Sequence, residues 1–142
     1  MKRLVIDASV VLKWYLTDEE YGQKALGLLE RYISNELDLL APSLLEYEVV
    51  NGLTIAQKRG RIKEDKILLA IDGFMDLKIN LKDLSQVYPK VLHYCRIYNC
   101  SVYDASYLAI ADEEKIPVVT ADKRLYDAVK KDLRWIRWLG DI

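Results

Sequence analysis

The chain has 142 residues, of which 51% are hydrophobic and 30% are charged. This balance excludes an intrinsically disordered protein, and the length predicts one folded domain over residues 1–142 with its own hydrophobic core. The formal net charge of −1 excludes nucleic-acid binding through overall positive charge alone. An acidic metal site with basic residues elsewhere is compatible with that charge.

Charged residues interrupt every apolar run, so we expect no membrane span and no membrane partner. The N-terminal segment carries Asp7 and lacks the apolar region of a signal peptide, which predicts a cytoplasmic protein. Cys95 and Cys100 fit neither a disulfide framework nor a metal motif, and we expect reduced thiols. A disulfide between them is expected only in a protein from a hyperthermophile.

Predicted strands alternate with predicted helices along the chain. The strands are predicted at residues 2–7, 37–41, 78–81, 116–120 and 135–139, the last as an edge strand. The helices are predicted at residues 8–16, 21–33, 44–59, 62–75, 83–98, 101–114 and from 122 onwards. This alternation favours an α/β fold of three layers, α/β/α, around a twisted and mainly parallel sheet. Nearly continuous apolar strands indicate that helices cover both faces.

Three single residues refine the helix boundaries. Ser43 is a plausible N-cap for the helix that begins at residue 44, and Gly60 supplies its end. Pro89 is tolerated only in the first turn of a helix, so the helix drawn from residue 83 should begin later.

Two acids follow predicted strands. Asp7 ends the first strand, and Asp122 follows the strand that ends at Thr120. In open parallel sheets, ligands bind beyond the carboxyl ends of the strands, which makes both acids candidates for a site. Each acid also precedes a predicted helix, so the alternative is that both are N-caps.

Glu48 lies beside the apolar stripe of the helix predicted at residues 44–59. The stripe is formed by Leu45, Val49, Leu53 and Ala56. A carboxylate is rarely buried unless it is paired or binds a metal. The alternative to a metal ligand is therefore an ion pair with a Lys or Arg.

Asp104 shares a helix face with Tyr107, Leu108 and Ala111, and we expect it to project toward the sheet. The alternative is structural, because Ser101 and Asp104 resemble a capping box in which Asp takes the place of Glu.

The four acids together predict a metal site more strongly than any one of them does. Mg²⁺ and Mn²⁺ prefer carboxylate oxygens and keep several waters. Such an ion can activate a water and neutralise charge on a phosphate. Clustered carboxylates without basic partners repel each other, so the cluster would be a poor structural device.

Four short segments carry a resemblance that covers essentially the whole chain. They are Val-Ile-Asp-Ala-Ser at 5–9, Tyr-Glu-Val-Val-Asn at 47–51, Val-Tyr-Asp-Ala-Ser-Tyr-Leu-Ala at 102–109 and Val-Thr-Ala-Asp-Lys-Arg-Leu at 119–125. In this order they resemble the PIN domain family, and within it the VapC ribonuclease toxins of prokaryotic toxin–antitoxin pairs. Asp7, Glu48, Asp104 and Asp122 stand at the family's four acidic positions.

The resemblance implies a Mg²⁺- or Mn²⁺-dependent endoribonuclease. In-line attack on phosphorus by a metal-activated water would leave a 5′-phosphate and a 3′-hydroxyl. The resemblance also implies a homodimer, silenced by a VapB-like antitoxin that inserts a segment into the acidic groove. Ser9 and Thr120 match polar positions beside the family's site and could order metal-bound water. Asn51 lies one turn after Glu48 on the same face.

Several other residues bear on function. Lys123 and Arg124 adjoin the proposed site in sequence, and we prefer them as phosphate contacts over the basic run at 58–63. Trp14 and Tyr15 follow the first motif and are candidates for an antitoxin or dimer surface.

Two alternatives to a nuclease remain. One is a phosphatase that uses Asp7 as a nucleophile, although the segment Asp-Ala-Ser lacks a second Asp two residues later. The other is a PIN-like module that binds RNA or protein with weak catalysis, against which the presence of all four acids argues.

Overall fold

The computed structural model describes residues 2–142, which contain a five-stranded parallel sheet in the order β3-β2-β1-β4-β5. The strands are β1 Lys2–Ile6, β2 Leu37–Pro42, β3 Asn80–Lys82, β4 Val118–Thr120 and β5 Ile136–Trp138. The helices are α1 Ala8–Val11, α2 Gly22–Ile33, α3 Leu45–Lys58, α4 Glu64–Asp76, α5 Tyr88–Tyr98, α6 Val102–Glu114 and α7 Lys123–Val129. Short 3₁₀ turns lie at Leu12–Trp14 and Leu139–Asp141. Across residues 2–142, no helix is long and apolar enough to cross a bilayer.

Helices cover both faces of the sheet. Val5 and Ile6 are adjacent in β1 and fully buried, and the same holds for Leu39 and Leu40 in β2. Because consecutive strand residues point to opposite faces, burial of both requires packed elements on each side. The predicted three-layer α/β/α architecture with a parallel sheet is therefore confirmed.

The order of the strands creates a crevice between β1 and β4. The chain runs from β1 through β2 to β3 on one side of the sheet and then returns to β4 on the other side of β1. Ligands of open α/β sheets bind at such a reversal, beyond the carboxyl ends of the strands. Asp7 follows β1 and Asp122 follows β4 by two residues, so both acids lie at this crevice.

The helix predicted at residues 8–16 is an α-helix only to Val11 and continues as a 3₁₀ turn to Trp14. Of the three predicted boundary residues, Ser43 differs from the structure, whereas Gly60 and Pro89 agree with it. The Ser43 N–H donates to the carbonyl of Lys82 at 2.9 Å, so Ser43 still continues the pairing of β2 with β3. Helix α3 consequently begins at Leu45 without a side-chain cap, and the predicted cap is wrong. Gly60 follows α3 with a φ of 73°, and Pro89 lies in the first turn of α5.

Trp14 is part of the core rather than an exposed recognition surface. Its side chain is buried, and its Nε1–H donates to the carbonyl of Ala25 in α2 at 2.8 Å. This bond fixes the turn after α1 against α2. The prediction that Trp14 forms an antitoxin or dimer surface is wrong, and Tyr15 is half-buried beside it.

Candidate active site

The four predicted acids line one cleft of about 260 Å³ at the carboxyl ends of β1 and β4. The lining consists of Asp7, Ala8, Ser9, Leu12, Glu48, Asn51, Gly52, Asp104 and Asp122. A second cleft of about 310 Å³ shares Glu48 and Asn51 with the first and is bordered by Tyr47 and Tyr103. The structure thus brings together residues that are distant in sequence.

Two hydroxyl groups hold the Asp7 carboxylate in place. Ser9 Oγ donates to Asp7 Oδ2 at 2.7 Å, and Thr120 Oγ1 donates to the same oxygen at 2.8 Å. Each hydroxyl in turn accepts a backbone N–H, from Ala121 at 2.9 Å and from Asp122 at 3.0 Å. This arrangement ties the end of β1 to the segment after β4 and fixes the orientation of the carboxylate.

The other oxygen of Asp7 faces the cleft. Within residues 2–142, Asp7 Oδ1 accepts no hydrogen bond, and no fully buried side-chain oxygen or nitrogen lacks a partner. Oδ1 must therefore reach the cleft. Burial raises the pKa of Asp7 to about 6; the hydrogen bonds from Ser9 and Thr120 lower it, and the charges of Asp104 and Asp122 add to the rise.

The alternative that both acids are N-caps is wrong for Asp7 and correct for Asp122. Asp7 occupies the N-cap position of α1, but its carboxylate makes no capping hydrogen bond. Asp122 does cap α7, because its Oδ1 accepts the N–H of Leu125 at 3.3 Å. Asp122 therefore serves as a cap and also lines the cleft.

Glu48 is directed into the cleft by α3 and held there by Tyr107. The Tyr107 hydroxyl, buried in α6, donates to Glu48 Oε1 at 2.6 Å. No Lys or Arg of residues 2–142 pairs with Glu48, so the ion-pair alternative is wrong within that part of the chain. Burial raises the pKa of Glu48, and the nearby charges of Asp7 and Asp104 raise it further against the opposing hydrogen bond.

Tyr107 was not predicted as a site residue. The sequence does carry a signal, because Tyr107 lies three residues after Asp104 on the same helix face. The sequence pattern does not show that Glu48, on a separate helix, lies within hydrogen-bonding distance of Tyr107.

Gly52 allows α3 to approach the segment after Asp7. A Cβ atom at this position would lie 2.5 Å from Cδ1 of Leu12. A side chain at Gly52 would therefore force Leu12 to move. The glycine sits one turn after Glu48 on α3, and the close packing keeps Glu48 near Asp7.

Asp104 has a basic partner that the sequence pattern does not indicate. The predicted cap at Ser101 is present, since Ser101 Oγ accepts the N–H of Asp104 at 3.0 Å. The Asp104 carboxylate pairs with Arg124, whose Nη2 lies 3.0 Å from Asp104 Oδ2 and 3.4 Å from Asp122 Oδ2. The premise that the acids lack basic partners is thus wrong for these two.

Of the remaining predicted residues, Asn51 lies at the cleft and Lys123 does not. Asn51 is exposed and lines both clefts. Lys123 points elsewhere: its Nζ is 3.4 Å from Asp127 and lies 5.2 Å from the ring centre of Trp138.

The donor set fits a hard cation, although it is not assembled as a chelate. As the side chains stand, no three carboxylate, imidazole or thiol groups of residues 2–142 form a group that could hold one ion. Arg124 occupies two of the carboxylates, and Tyr107 occupies an oxygen of Glu48. Four carboxylates on one cleft nevertheless supply the oxygen ligands that Mg²⁺ and Mn²⁺ prefer.

Comparison with known proteins identifies the family. The family model of the PIN domain matches residues 4–131, and the chain belongs to the PIN domain family. Its relatives include ribonuclease VapC1 of Mycobacterium tuberculosis, with 32% identity over 88% of this chain and 90% of that protein. Ribonuclease VapC9 of the same species is 34% identical over 87% of this chain and 89% of its own length. Ribonuclease VapC3 of Pyrobaculum aerophilum is 28% identical over 87% and 92%.

Two solved structures share the fold. The crystal structure of PAE2754 from Pyrobaculum aerophilum has a TM-score of 0.65 at 20% identity, covering 99% of this chain and 92% of that one. A toxin–antitoxin complex from Klebsiella pneumoniae has a TM-score of 0.56 at 14% identity, covering 94% and 95%.

Proposed function

We propose that this protein is a metal-dependent endoribonuclease and the toxin of a type II toxin–antitoxin pair. The observation that carries the proposal is the convergence of Asp7, Glu48, Asp104 and Asp122 on one cleft. The ribonuclease names of the relatives support the reaction. The toxin–antitoxin complex among the structural neighbours supports the biological setting.

The four carboxylates would hold Mg²⁺ or Mn²⁺, with Oδ1 of Asp7 as the oxygen that its hydrogen bonds leave open. When bound, the ion activates water and neutralises charge on the scissile phosphodiester. Ser9 and Thr120 keep the Asp7 carboxylate from rotating, and Tyr107 does the same for Glu48. Carboxylates whose orientation is already fixed lose little conformational entropy when they bind a ligand.

Two exposed tyrosines support a nucleic-acid substrate. Tyr47 and Tyr103 precede Glu48 and Asp104 and are 80% and 60% exposed beside the cleft. Bases of single-stranded RNA stack on such rings without sequence preference. The rings would therefore place unpaired nucleotides beside the carboxylates.

The proposed partners are a second copy of the chain and a VapB-like antitoxin, in the cytoplasm. Leu68 and Leu69 are 69% and 64% exposed on α4, and a second protein chain would cover such apolar groups. An acidic cleft favours a basic antitoxin segment by charge complementarity.

Cleavage of a structured RNA with Mg²⁺ or Mn²⁺ tests the proposed reaction. We expect 5′-phosphate products, loss of cleavage in EDTA, and a loss of about 100-fold or more in Asp7→Asn and Glu48→Gln. Glu46→Gln is the matched control, because Glu46 lies on α3 outside the cleft lining.

Cleavage that survives both EDTA and Asp7→Asn would overturn the mechanism. Trapping of a phosphoryl group on Asp7 would instead indicate a phosphatase. RNA binding by the wild type without cleavage would indicate a binding module.

A further inference from the structure

Arg124 bridges two acids of the cleft that come from different elements. Its Nη2 contacts Oδ2 of Asp104, in the first turn of α6, and Oδ2 of Asp122, which caps α7. The Asp104 side chain is only 16% exposed, whereas the Arg124 side chain is 69% exposed. The guanidinium thus approaches the carboxylates from the solvent side.

A guanidinium and a divalent ion are both cations that bind carboxylate oxygens, so they repel each other and compete when both approach the same two acids. An ion pair with one exposed partner is weak, because water screens it and the long side chain loses entropy. A doubly charged ion that gathers several carboxylates offers a larger Coulomb gain. With Arg124 in place, the described residues contain no ready-made group for an ion.

We propose that Arg124 occupies the carboxylates of Asp104 and Asp122 in place of the divalent ion, and that the ion displaces it toward a substrate phosphate. Both halves rest on the proposed function, the first on its divalent ion and the second on its RNA substrate. The displaced side chain stays at the start of α7, beside the cleft. A guanidinium matches phosphate oxygens with paired N–H donors, so the freed group would bind the RNA backbone.

Calorimetric titration of Mn²⁺ into RNA-free protein tests the competition. We expect Arg124→Gln to bind Mn²⁺ about 3- to 20-fold more tightly than the wild type, because two competing ion pairs are lost. The matched control is Lys123→Gln, which removes the same charge one residue away. Lys123 pairs with Asp127 rather than with the cleft acids, so its Mn²⁺ affinity should change by less than about 2-fold.

A second readout is the Nε–Hε resonance of Arg124 in ¹⁵N spectra, assigned by its loss in Arg124→Gln. Titration with diamagnetic Mg²⁺ should shift this resonance as the guanidinium leaves its carboxylates. RNA cleavage at saturating Mn²⁺ should be slower in Arg124→Gln, although that variant binds the ion more tightly.

The outcomes separate the two proposals. Wild-type affinity in Arg124→Gln, or weaker affinity, would overturn the competition and leave the nuclease proposal standing. Tighter Mn²⁺ binding with unchanged RNA cleavage would overturn the phosphate contact alone. If neither the wild type nor Arg124→Gln binds Mn²⁺, the proposed metal-dependent function and this inference are both overturned.

Discussion

At the scale of single residues, Asp7 has an unusual environment for a carboxylate. It is buried at the end of β1, yet one oxygen takes both hydroxyl donors and the other remains open to the cleft. An unpaired buried charge is costly, and the nearby acids increase that cost. A cation in the cleft would relieve it, which links the stability of the protein to the occupancy of its site.

We expect Asp7→Asn to stabilise the metal-free protein above about pH 6. The pKa of Asp7 rises from 3.8 to about 6 on folding, so the folded state binds more protons between these values. Well below pH 3.8 the acid is protonated in both states and its burial carries no charge penalty. Above pH 6 the full penalty applies, and its removal should gain up to about 3 kcal/mol in the free energy of unfolding.

Urea unfolding in EDTA across this pH range measures the difference. The control is Asp127→Asn, since Asp127 is exposed and its pKa is lowered by Lys130 and Lys123. A constant difference between Asp7→Asn and wild type at all pH values would contradict the account of Asp7.

The hydroxyl of Tyr107 provides a second prediction at this scale. Tyr107→Phe removes the donor to Glu48, and we expect RNA cleavage to fall about 10-fold as that carboxylate loses its orientation. Tyr94→Phe is the matched control, because the Tyr94 hydroxyl donates to Asp112 Oδ2 at 2.7 Å, outside the cleft. Both variants should lose similar stability, but only the first should lose activity. Equal rates of RNA cleavage in Tyr107→Phe and Tyr94→Phe would show that Tyr107 has a structural role only.

How far single residues were predictable depended on the range of the interaction. Asp7 and Asp122 were predicted at one edge of the sheet because a strand end is a local feature of sequence, and both line the same cleft. The bonds from Tyr107 to Glu48 and from Arg124 to Asp104 join separate elements. Periodicity places a side chain on a face but does not specify which partner meets it.

At the scale of elements, the position of α3 depends on Gly52. The helix carries Glu48 and packs against Leu12, and the missing side chain at Gly52 allows that contact. Glycine inside a helix ordinarily lowers its stability by about 1 kcal/mol relative to alanine. Here the glycine leaves room for the Leu12 side chain, which a Cβ would displace.

We expect Gly52→Ala to destabilise the protein by about 1–3 kcal/mol, through overpacking against Leu12. Gly73→Ala in α4 is the matched control, since a Cβ there meets nothing within 4 Å. That change should stabilise the protein by up to about 1 kcal/mol through helix propensity. Denaturant unfolding of the two variants checks the opposite signs, and stabilisation by both would contradict the role of Gly52.

The elements were predicted well except where tertiary contacts decided the boundary. Pro89 and Gly60 mark boundaries through their own backbone chemistry, and both predictions agree with the structure. Ser43 was predicted as a cap, but its N–H is taken by Lys82 across the sheet. Trp14 was predicted on the surface, and its burial against α2 could not be read from a short local segment.

At the scale of the whole molecule, the strand order explains why acids so distant in sequence share one cleft. Strands β2 and β3 are added on one side of β1, and β4 is then added on its other side. The carboxyl ends of β1 and β4 therefore lie side by side. Helices α3 and α6 then contribute Glu48 and Asp104 to the same cleft. The alternation of strands and helices predicted the fold class and the sheet edge at which Asp7 and Asp122 line one cleft. It did not predict the strand order, which depends on pairing between distant segments.

The central claim is that the four acids act together as one ion-binding site, and calorimetry in Mn²⁺ tests it most directly. An ion that binds only the folded state raises the melting temperature. We expect Mn²⁺ to raise that temperature in the wild type and in Glu46→Ala, and to have little effect in Asp7→Asn, Glu48→Ala or Asp104→Asn. An equal rise in the wild type and Glu48→Ala, or no rise in the wild type, would contradict the claim.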